Sequence, residues 1–203
     1  MKLFCTYTSP YARKVRVVLA EKKIECELLI EKPRNNELVA SYNPLARVPV
    51  LVLDDNTAIF DSPVIVEYLD NVAPNNKLFP QPHRERIEVK CHEALADGLI
   101  DAAIAIRAEL MRPAEMRDAS IIERNHLAIG RSLQSMEQKV GEQSWCMGTH
   151  ISLADIAVGS ALGYLDFRFG DIDWRAAQPN LARLYDKLMQ RQSFIDTVPP
   201  AGG

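Results

Sequence analysis

The chain has 203 residues and a formal net charge of −3, and 47% of its residues are hydrophobic, a composition typical of an ordinary globular protein with one large or two small domains. Its basic residues are interleaved with acidic ones, which argues against a nucleic-acid partner. It contains neither an apolar run long enough to span a membrane nor the apolar region of a signal peptide, so we expect a cytoplasmic protein.

The first motif is Thr8-Ser9-Pro10, which follows a short apolar run at residues 3–5. The run predicts a buried strand, and the apolar stripe after Pro10 predicts a helix. Pro10 suits the first helical position and Ser9 is a favoured N-cap, so a helix N-terminus with unpaired N–H groups and a partial positive charge begins here. Such a terminus stabilises an anion, and with a hydroxyl donor it can lower the pKa of a bound thiol. The alternative is that Ser9 only caps its helix.

A second strand is predicted at residues 26–30, which makes the start of the chain a β-α-β unit with a parallel strand pair. Residues 31–42 are polar and irregular, with room for one short helix. Residues 50–53 and 57–60 then predict an antiparallel hairpin, which is entered through Val48-Pro49. This proline indicates either the start of an edge strand or a cis peptide that turns the N–H and C=O of Val48 outward to pair with an extended peptide ligand.

Asp61-Ser62-Pro63 repeats the pattern of a capping residue before a proline and opens another predicted helix. Ser62 and its backbone N–H can hold a carboxylate, and Asp61 can accept a hydrogen bond from an ammonium group. The head of an α-amino acid carries both charges and fits this pair. The alternative is that both residues only cap the helix.

Residues 74–82 have the proline-rich composition of a linker. Beyond them, apolar residues recur at three- and four-residue spacing and predict helices over 87–110, 121–140 and 181–189. Ser152 and Asp155 have the spacing of a capping box at the start of a further helix. The chain is therefore predicted to contain an α/β domain at residues 1–73, the linker, and an all-helical bundle at residues 83–203.

The order and spacing of these motifs, over essentially the whole chain, resemble the cytosolic glutathione S-transferases and most of all their short bacterial members. The motifs that carry the resemblance are Ser9 at a helix start, Val48-Pro49 before a hairpin, Asp61-Ser62 opening a helix, and Ser152 with Asp155 in the helical half. The resemblance implies a thioredoxin-like N-terminal domain of order β-α-β-α-β-β-α, a helical C-terminal domain and a two-fold homodimer.

The resemblance also implies which residues bind glutathione. Ser9 corresponds to the residue beside the glutathione sulfur and is the implied catalytic residue. Val48 corresponds to the residue before the family's cis-proline, and Asp61-Ser62 to the pair that holds the γ-glutamyl group. Lys32 and Arg47 are implied for the side of the glycine carboxylate.

The implied function is that of an enzyme that stabilises the glutathione thiolate and conjugates it to a small electrophile, as in cytoplasmic detoxification. Ser9 stands where some relatives have Cys, which disfavours thiol exchange because a hydroxyl can only donate to a thiolate. Tyr7 and Tyr11 are weaker candidates for the contact with sulfur.

The cysteines form no Cys-x-x-Cys pair and no metal-ligand pattern, so we expect no metal. The alternative function is a non-catalytic protein that keeps this fold and docks a protein partner.

Overall fold

The computed structural model describes residues 1–32 and 36–201, so part of the predicted irregular stretch, residues 33–35, lies outside the described residues. The chain forms two compact units. The first contains Met1–Gln81 and the C-terminal residues from Met189, and the second is Pro82–Leu188. The change from the first unit to the second falls inside the proline-rich stretch that the sequence predicts as a linker.

The described part of the first unit contains a four-stranded sheet in the order β2-β1-β3-β4. Its strands are β1 (Lys2–Cys5), β2 (Glu27–Ile30), β3 (Val50–Val52) and β4 (Ala58–Ile59). β1 pairs in parallel with β2 and antiparallel with β3, and β3 pairs antiparallel with β4. The β-α-β unit and the hairpin predicted from the sequence are therefore confirmed.

Helices α1 (Pro10–Lys22), α2 (Glu37–Tyr42) and α3 (Ser62–Val72) complete the predicted thioredoxin-like order of elements. α1 packs against α3. The apolar stripe of α1 is buried, because its residues face the interior at helical spacing: Ala12, Val15, Val18 and Leu19. A further buried cluster, which joins the sheet to α2, contains Phe4, Val39, Val50 and Val52.

The second unit is all-helical, as predicted. Its elements are α4 (His83–Leu110), a 3₁₀ turn (Ala114–Met116), α5 (Ala119–Val140), α6 (Leu153–Arg168), α7 (Trp174–Ala177) and α8 (Pro179–Leu188). α4 packs against both α5 and α6. Across the two described ranges of the chain, no helix combines the length and apolar character that crossing a membrane requires.

The predicted capping box begins α6. The Asp155 carboxylate accepts from the backbone N–H of Ser152 at 2.8 Å and from its hydroxyl at 2.9 Å. It also accepts from the backbone N–H of Cys146 at 2.7 Å, so one buried carboxylate fixes both the helix start and the preceding loop. Burial raises the pKa of Asp155, although these hydrogen bonds oppose the rise.

The C-terminal segment, which the sequence analysis assigns to the helical domain, belongs to the first unit. Its short helix α9 (Gln192–Ile195) packs on α1. The guanidinium of Arg13 donates to the carbonyl of Phe194 at 3.3 Å, and that of Arg16 donates to the carbonyl of Asp196 at 3.2 Å. These arginines are buried because the returning segment covers a face of α1 that would otherwise be exposed to solvent.

Glu21 provides a further bond to this segment. Its carboxylate accepts from Arg191 at 2.6 and 2.7 Å and from the hydroxyl of Ser193. Burial by itself would raise the pKa of Glu21, but the hydrogen bonds from Arg191 and Ser193 and the positive charge of Arg191 outweigh burial, and the pKa is lowered. The ionised carboxylate therefore stabilises the attachment of the C-terminal segment.

The proline-rich stretch is bound firmly at its start. Lys22, the last residue of α1, forms a buried ion pair of 2.8 Å with Asp70 of α3 and also donates to the carbonyl of Asn75. Asp70 accepts from the backbone N–H of Leu78 at 2.9 Å. A salt bridge between two helices thus also fixes the chain that leaves them.

Candidate functional site

The strand directions bring the predicted site residues to one end of the sheet. β1, β2 and β4 run in one direction and β3 in the other, so three strands finish and β3 starts at a common end. Ser9 follows β1, Lys32 follows β2, Arg47 and Val48 precede β3, and Asp61-Ser62 follow β4. We call this the Ser9 end of the sheet. The structure places every predicted glutathione-binding residue there.

Ser9 is the N-cap of α1. Its Oγ accepts from the backbone N–H of Ala12 at 3.2 Å, and Pro10 occupies the first turn. The side chain is half-buried, and within the described ranges no acceptor takes the proton of its hydroxyl. The two interpretations of Ser9 are therefore compatible, because one lone pair caps the helix while the O–H is still available to a ligand.

Val48 precedes β3 and carries two free backbone groups. The Val48-Pro49 peptide is cis, as one of the two sequence interpretations expects. Neither the N–H nor the C=O of Val48 is hydrogen-bonded to any residue that the structure describes. Both groups can therefore pair with the backbone of an extended peptide.

A residue that the sequence analysis missed positions this loop. Asn43 is 3% exposed, its side-chain amide donates to the carbonyl of Arg47 at 2.9 Å, and its Oδ1 accepts from the backbone N–H of Leu45 at 3.0 Å. Asn43 thus holds the chain immediately before Val48. The sequence contained a signal, because Asn before Pro favours a turn stabilised by the Asn side chain.

The Asp61-Ser62 pair differs in one respect from the sequence expectation. Asp61 is the N-cap of α3, and its carboxylate accepts from the backbone N–H of Ser62, so the protein itself already uses that N–H. The Asp61 side chain is exposed and keeps its other oxygen for a ligand. The hydroxyl of Ser62 is fully buried and has no hydrogen-bond partner among the described residues. What Ser62 offers a ligand is therefore its hydroxyl.

Lys32 and Arg47 are both exposed. Neither makes an ion pair with an acidic residue in the described part of the chain. Two exposed cations at the Ser9 end of the sheet, with no acidic partner among the described residues, favour an anionic ligand group.

The alternative tyrosines occupy different surroundings. Tyr7 is 41% exposed, and its ring lies 4.9 Å from the guanidinium carbon of Arg16 in a cation–π contact. Tyr11 lies within α1 and is half-buried. Ser9 is the residue of this segment whose side chain caps the helix start, where the positive end of the helix dipole lies.

Burial makes the protein's own thiols harder to ionise at Cys5, Cys26 and Cys146. It raises the pKa of Cys5, the last residue of β1, to about 11. Burial also raises the pKa of Cys26 and of Cys146. Because a thiol must ionise to act as a nucleophile, Cys5 is poorly suited to supply a thiolate at the Ser9 end. Within residues 1–32 and 36–201, no group of three His, Cys, Asp or Glu side chains is arranged to hold a metal ion.

A thioredoxin-like unit joined to an all-helical unit is the two-part fold of the glutathione S-transferases, and comparison with known proteins agrees. Residues 8–72 match the family model described as glutathione S-transferase, N-terminal domain, and residues 119–187 match glutathione S-transferase, C-terminal domain. The uncharacterized GST-like protein YibF of Escherichia coli strain K12 is 40% identical over 203 residues, which cover 98% of this chain and 99% of that protein.

Solved structures give the same result. The crystal structure of a glutathione S-transferase from Methylobacillus flagellatus KT with glutathione bound has 48% identity and a TM-score of 0.95, and covers 98% of this chain and 99% of its own. One from Methylobacterium radiotolerans JCM 2831, in complex with glutathione sulfonate, has 37% identity and a TM-score of 0.95, with coverage of 100% and 96%. The chain belongs to the glutathione S-transferase family.

Proposed function

We propose that this protein binds glutathione at the Ser9 end of the sheet, stabilises its thiolate and conjugates it to a small electrophile. The observation that carries the proposal is that three groups lie at this one end of the sheet. They are the Ser9 hydroxyl, whose proton has no acceptor among the described residues, the backbone N–H and C=O of Val48, which have no partner there, and the exposed carboxylate of Asp61. These groups match a tripeptide that has a thiol in its middle and an amino-acid head at one end. The two similar crystal structures, which contain glutathione and glutathione sulfonate, support the choice of ligand.

Each residue has a defined task in this proposal. Ser9 donates to the glutathione sulfur, and the backbone of Val48 pairs with the cysteinyl residue. Asp61 accepts from the ammonium group of the γ-glutamyl head and the Ser62 hydroxyl donates to its carboxylate, while Lys32 and Arg47 attract the glycine carboxylate. The positive end of the α1 dipole adds to the hydroxyl bond, because both act on the charge that the sulfur gains on ionisation.

The energy required from the protein is modest. Lowering the thiol pKa by two units corresponds to about 2.7 kcal/mol. One charge-assisted hydrogen bond contributes about 1.5–3 kcal/mol, and a helix N-terminus about 0.3–1 kcal/mol. The thiol releases its proton to solvent water, and the thiolate attacks the electrophilic carbon. An S–C bond forms with the electron pair of the sulfur, and the leaving group on that carbon departs with the electrons of its own bond.

Calorimetric titration of the full-length protein with glutathione tests the binding step. We expect one site per chain, and binding weakened more than tenfold by Asp61→Asn. This change removes the negative charge but keeps a side-chain oxygen that can cap α3. Absence of glutathione binding to the folded wild-type protein would refute the proposal and favour the docking protein instead.

We also propose a two-fold homodimer in the cytoplasm, as the family resemblance implies. The exposed apolar residues Val64 and Val72 on α3 and Ile87 on α4 support a contact with a second copy of the chain. Light scattering at micromolar concentration tests the assembly, and a monomeric mass with full glutathione binding would contradict this part of the proposal alone.

A further inference from the structure

The described part of the sheet has two edge strands of unequal length. β4 lies at one edge and contains only Ala58–Ile59, whereas β2 lies at the other edge and is as long as β1, the strand with which it pairs. A very short edge strand is one way in which proteins keep a sheet from pairing with another chain. β2 lacks that protection, so it is the edge that can accept a further strand.

The outer side of β2 has free backbone groups. The N–H of Glu27 donates to the carbonyl of Met1 at 3.2 Å, so the backbone of Glu27 points toward β1, and the parallel register of the two strands contains no bulge. In a strand, the backbone groups of successive residues point in opposite directions. The N–H and C=O of Leu28 and Ile30 therefore point away from β1, and they have no backbone partner among the residues that the structure describes.

The same two residues also expose apolar side chains. Leu28 is 37% exposed and Ile30 is 47% exposed. Because side chains alternate along a strand, both lie on one face of the sheet, while Leu29 between them packs against the buried cluster on the other face. An edge that needed only protection would carry polar residues at these two positions, since exposed apolar residues on an edge strand favour association.

The face of β2 that contains Leu29 carries negative charge. Glu27 and Glu31 lie on this face by the same alternation. The carboxylate of Glu27 is 3.9 Å from the ammonium group of Lys2, and its side chain is still 58% exposed. One oxygen of Glu31 accepts from the neutral amide of Asn36 at 2.7 Å. Residues 25–31 contain three glutamates, and the lysines nearest in sequence, at positions 23 and 32, lie beyond both ends of the strand.

This charge distinguishes between possible partners. If two copies of the chain paired in antiparallel fashion about Leu29, Glu27 of each copy would face Glu31 of the other, and like charges directly opposite each other destabilise a strand pair. Basic residues opposite the glutamates would form favourable cross-strand pairs, and apolar residues between them would cover Leu28 and Ile30. The edge therefore fits a strand of alternating basic and apolar residues better than it fits a second copy.

We propose that β2 binds an extended segment of a partner protein as an additional strand of the sheet, and that basic residues alternate with apolar residues in this segment. Backbone hydrogen bonds to Leu28 and Ile30 provide affinity, and the side chains of β2 select the sequence. None of the proposed glutathione contacts lies in β2, so this inference does not depend on the proposed function.

A synthetic peptide of sequence Lys-Val-Lys-Ile-Lys-Val-Lys, blocked at both ends, is the probe. It is titrated calorimetrically into the full-length protein, and Glu-Val-Glu-Ile-Glu-Val-Glu is the matched control, with the same alternation and the opposite charge. We expect the lysine peptide to bind at least about tenfold more tightly than the glutamate peptide. No binding of the lysine peptide, or equal binding of the two peptides, would overturn the inference.

Amide hydrogen exchange of the wild-type protein, followed by NMR, shows whether the peptide occupies this edge. At a peptide concentration ten times its Kd, the amides of Leu28 and Ile30 should exchange about tenfold more slowly, while that of Glu27 is already bonded to β1 and should change little. Peptide binding without this protection would overturn the inference. Protection that rises with protein concentration alone would overturn it in favour of a second copy.

Variants separate the backbone contribution from that of the side chains. Leu28→Pro removes an N–H that β1 does not use, at an edge position that tolerates proline, and is expected to weaken peptide binding more than tenfold. Leu28→Ala keeps the N–H and is expected to weaken binding only severalfold. Equal affinity of these two variants for the peptide would contradict strand addition, and thermal unfolding checks that both are folded.

A second pair of variants tests the charge. Glu27→Gln is expected to weaken binding of the lysine peptide about two- to fivefold, which is the effect of one cross-strand ion pair. Glu123→Gln removes an equal charge from an exposed position of α5 and is expected to leave the affinity unchanged. Equal weakening by both variants would show that the peptide responds only to net charge, which would overturn the inference.

Discussion

The hydroxyl of Ser9 is expected to control the ionisation of bound glutathione. Its Oγ already accepts from Ala12 at 3.2 Å, so its proton is the group that remains for the sulfur. A hydrogen bond to a charged group contributes about 1.5–3 kcal/mol. At 1.36 kcal/mol per pKa unit, losing it in Ser9→Ala should raise the pKa of the bound thiol by about 1–2 units.

The assay is the ultraviolet absorbance of the bound thiolate, followed against pH at saturating glutathione. Ser9→Thr keeps a hydroxyl and is expected to titrate close to the wild-type protein. Ser9→Asn keeps an oxygen that can cap α1 but has no hydroxyl, so it is expected to titrate like Ser9→Ala while retaining more of the stability. A thiol pKa in Ser9→Ala within about 0.3 units of the wild type would refute the reasoning, because it corresponds to less than about 0.4 kcal/mol.

Three further predictions concern binding and stability. Ser62→Ala is expected to weaken glutathione binding about tenfold or more without lowering thermal stability, because the buried hydroxyl has no partner in the described residues; unchanged affinity would restrict Ser62 to a structural role. Arg191→Gln is expected to destabilise the protein by about 2 kcal/mol at pH 7, discounted for the partly exposed arginine, and by progressively less as the pH falls below 4.5. Since the folded-state pKa of Glu21 lies below its ordinary 4.5, the stability it provides is present above that pH and is lost as the pH falls through the folded value. Burial, with the charge of Lys139, lowers the pKa of His92 below 6.5, so thermal stability should fall as the pH drops below 6.5, and less steeply in His92→Gln.

Controls separate these effects from general damage. Arg124→Gln removes an exposed charge and should leave the pH dependence of unfolding unchanged. A destabilisation by Arg191→Gln that does not decrease at any pH below 4.5 at which the protein is still folded would show that packing rather than the ion pair is lost. A His92→Gln variant with the slope of the wild type between pH 7.5 and 5.5 would assign that slope to other groups.

Local signals in the sequence were sufficient for most of the first unit. Ser9-Pro10 marked the start of α1 because a capping hydroxyl and a proline each favour the first turn. The hairpin followed from two short strand-like runs separated by the polar turn residues 54–56. Strand direction then determined where the site residues gather. The fold, and the end of the sheet at which the candidate site residues gather, were therefore predictable.

What the sequence did not predict depends on contacts between distant residues. Arg13 and Arg16 lie outside the apolar stripe of α1, yet both are buried beneath a segment about 180 residues later in the chain. No spacing rule connects Glu21 with Arg191. The hydrogen bond from the Ser62 N–H to the Asp61 carboxylate was also missed. A capping side chain and a ligand compete for this N–H, and the sequence does not show which of them accepts from it.

The return of the C-terminal segment to α1 affects how the protein can be divided. Residues 1–81 contain every strand that the structure describes and every proposed glutathione contact. As a separate fragment they would expose the face of α1 that carries Arg13, Arg16 and Glu21. In sequence terms, the helical unit is inserted between two segments of the first unit, Met1–Gln81 and the residues from Met189. A shortened C-terminus or a bulky C-terminal fusion should therefore disturb the helix that begins at Ser9 before it disturbs the helical bundle.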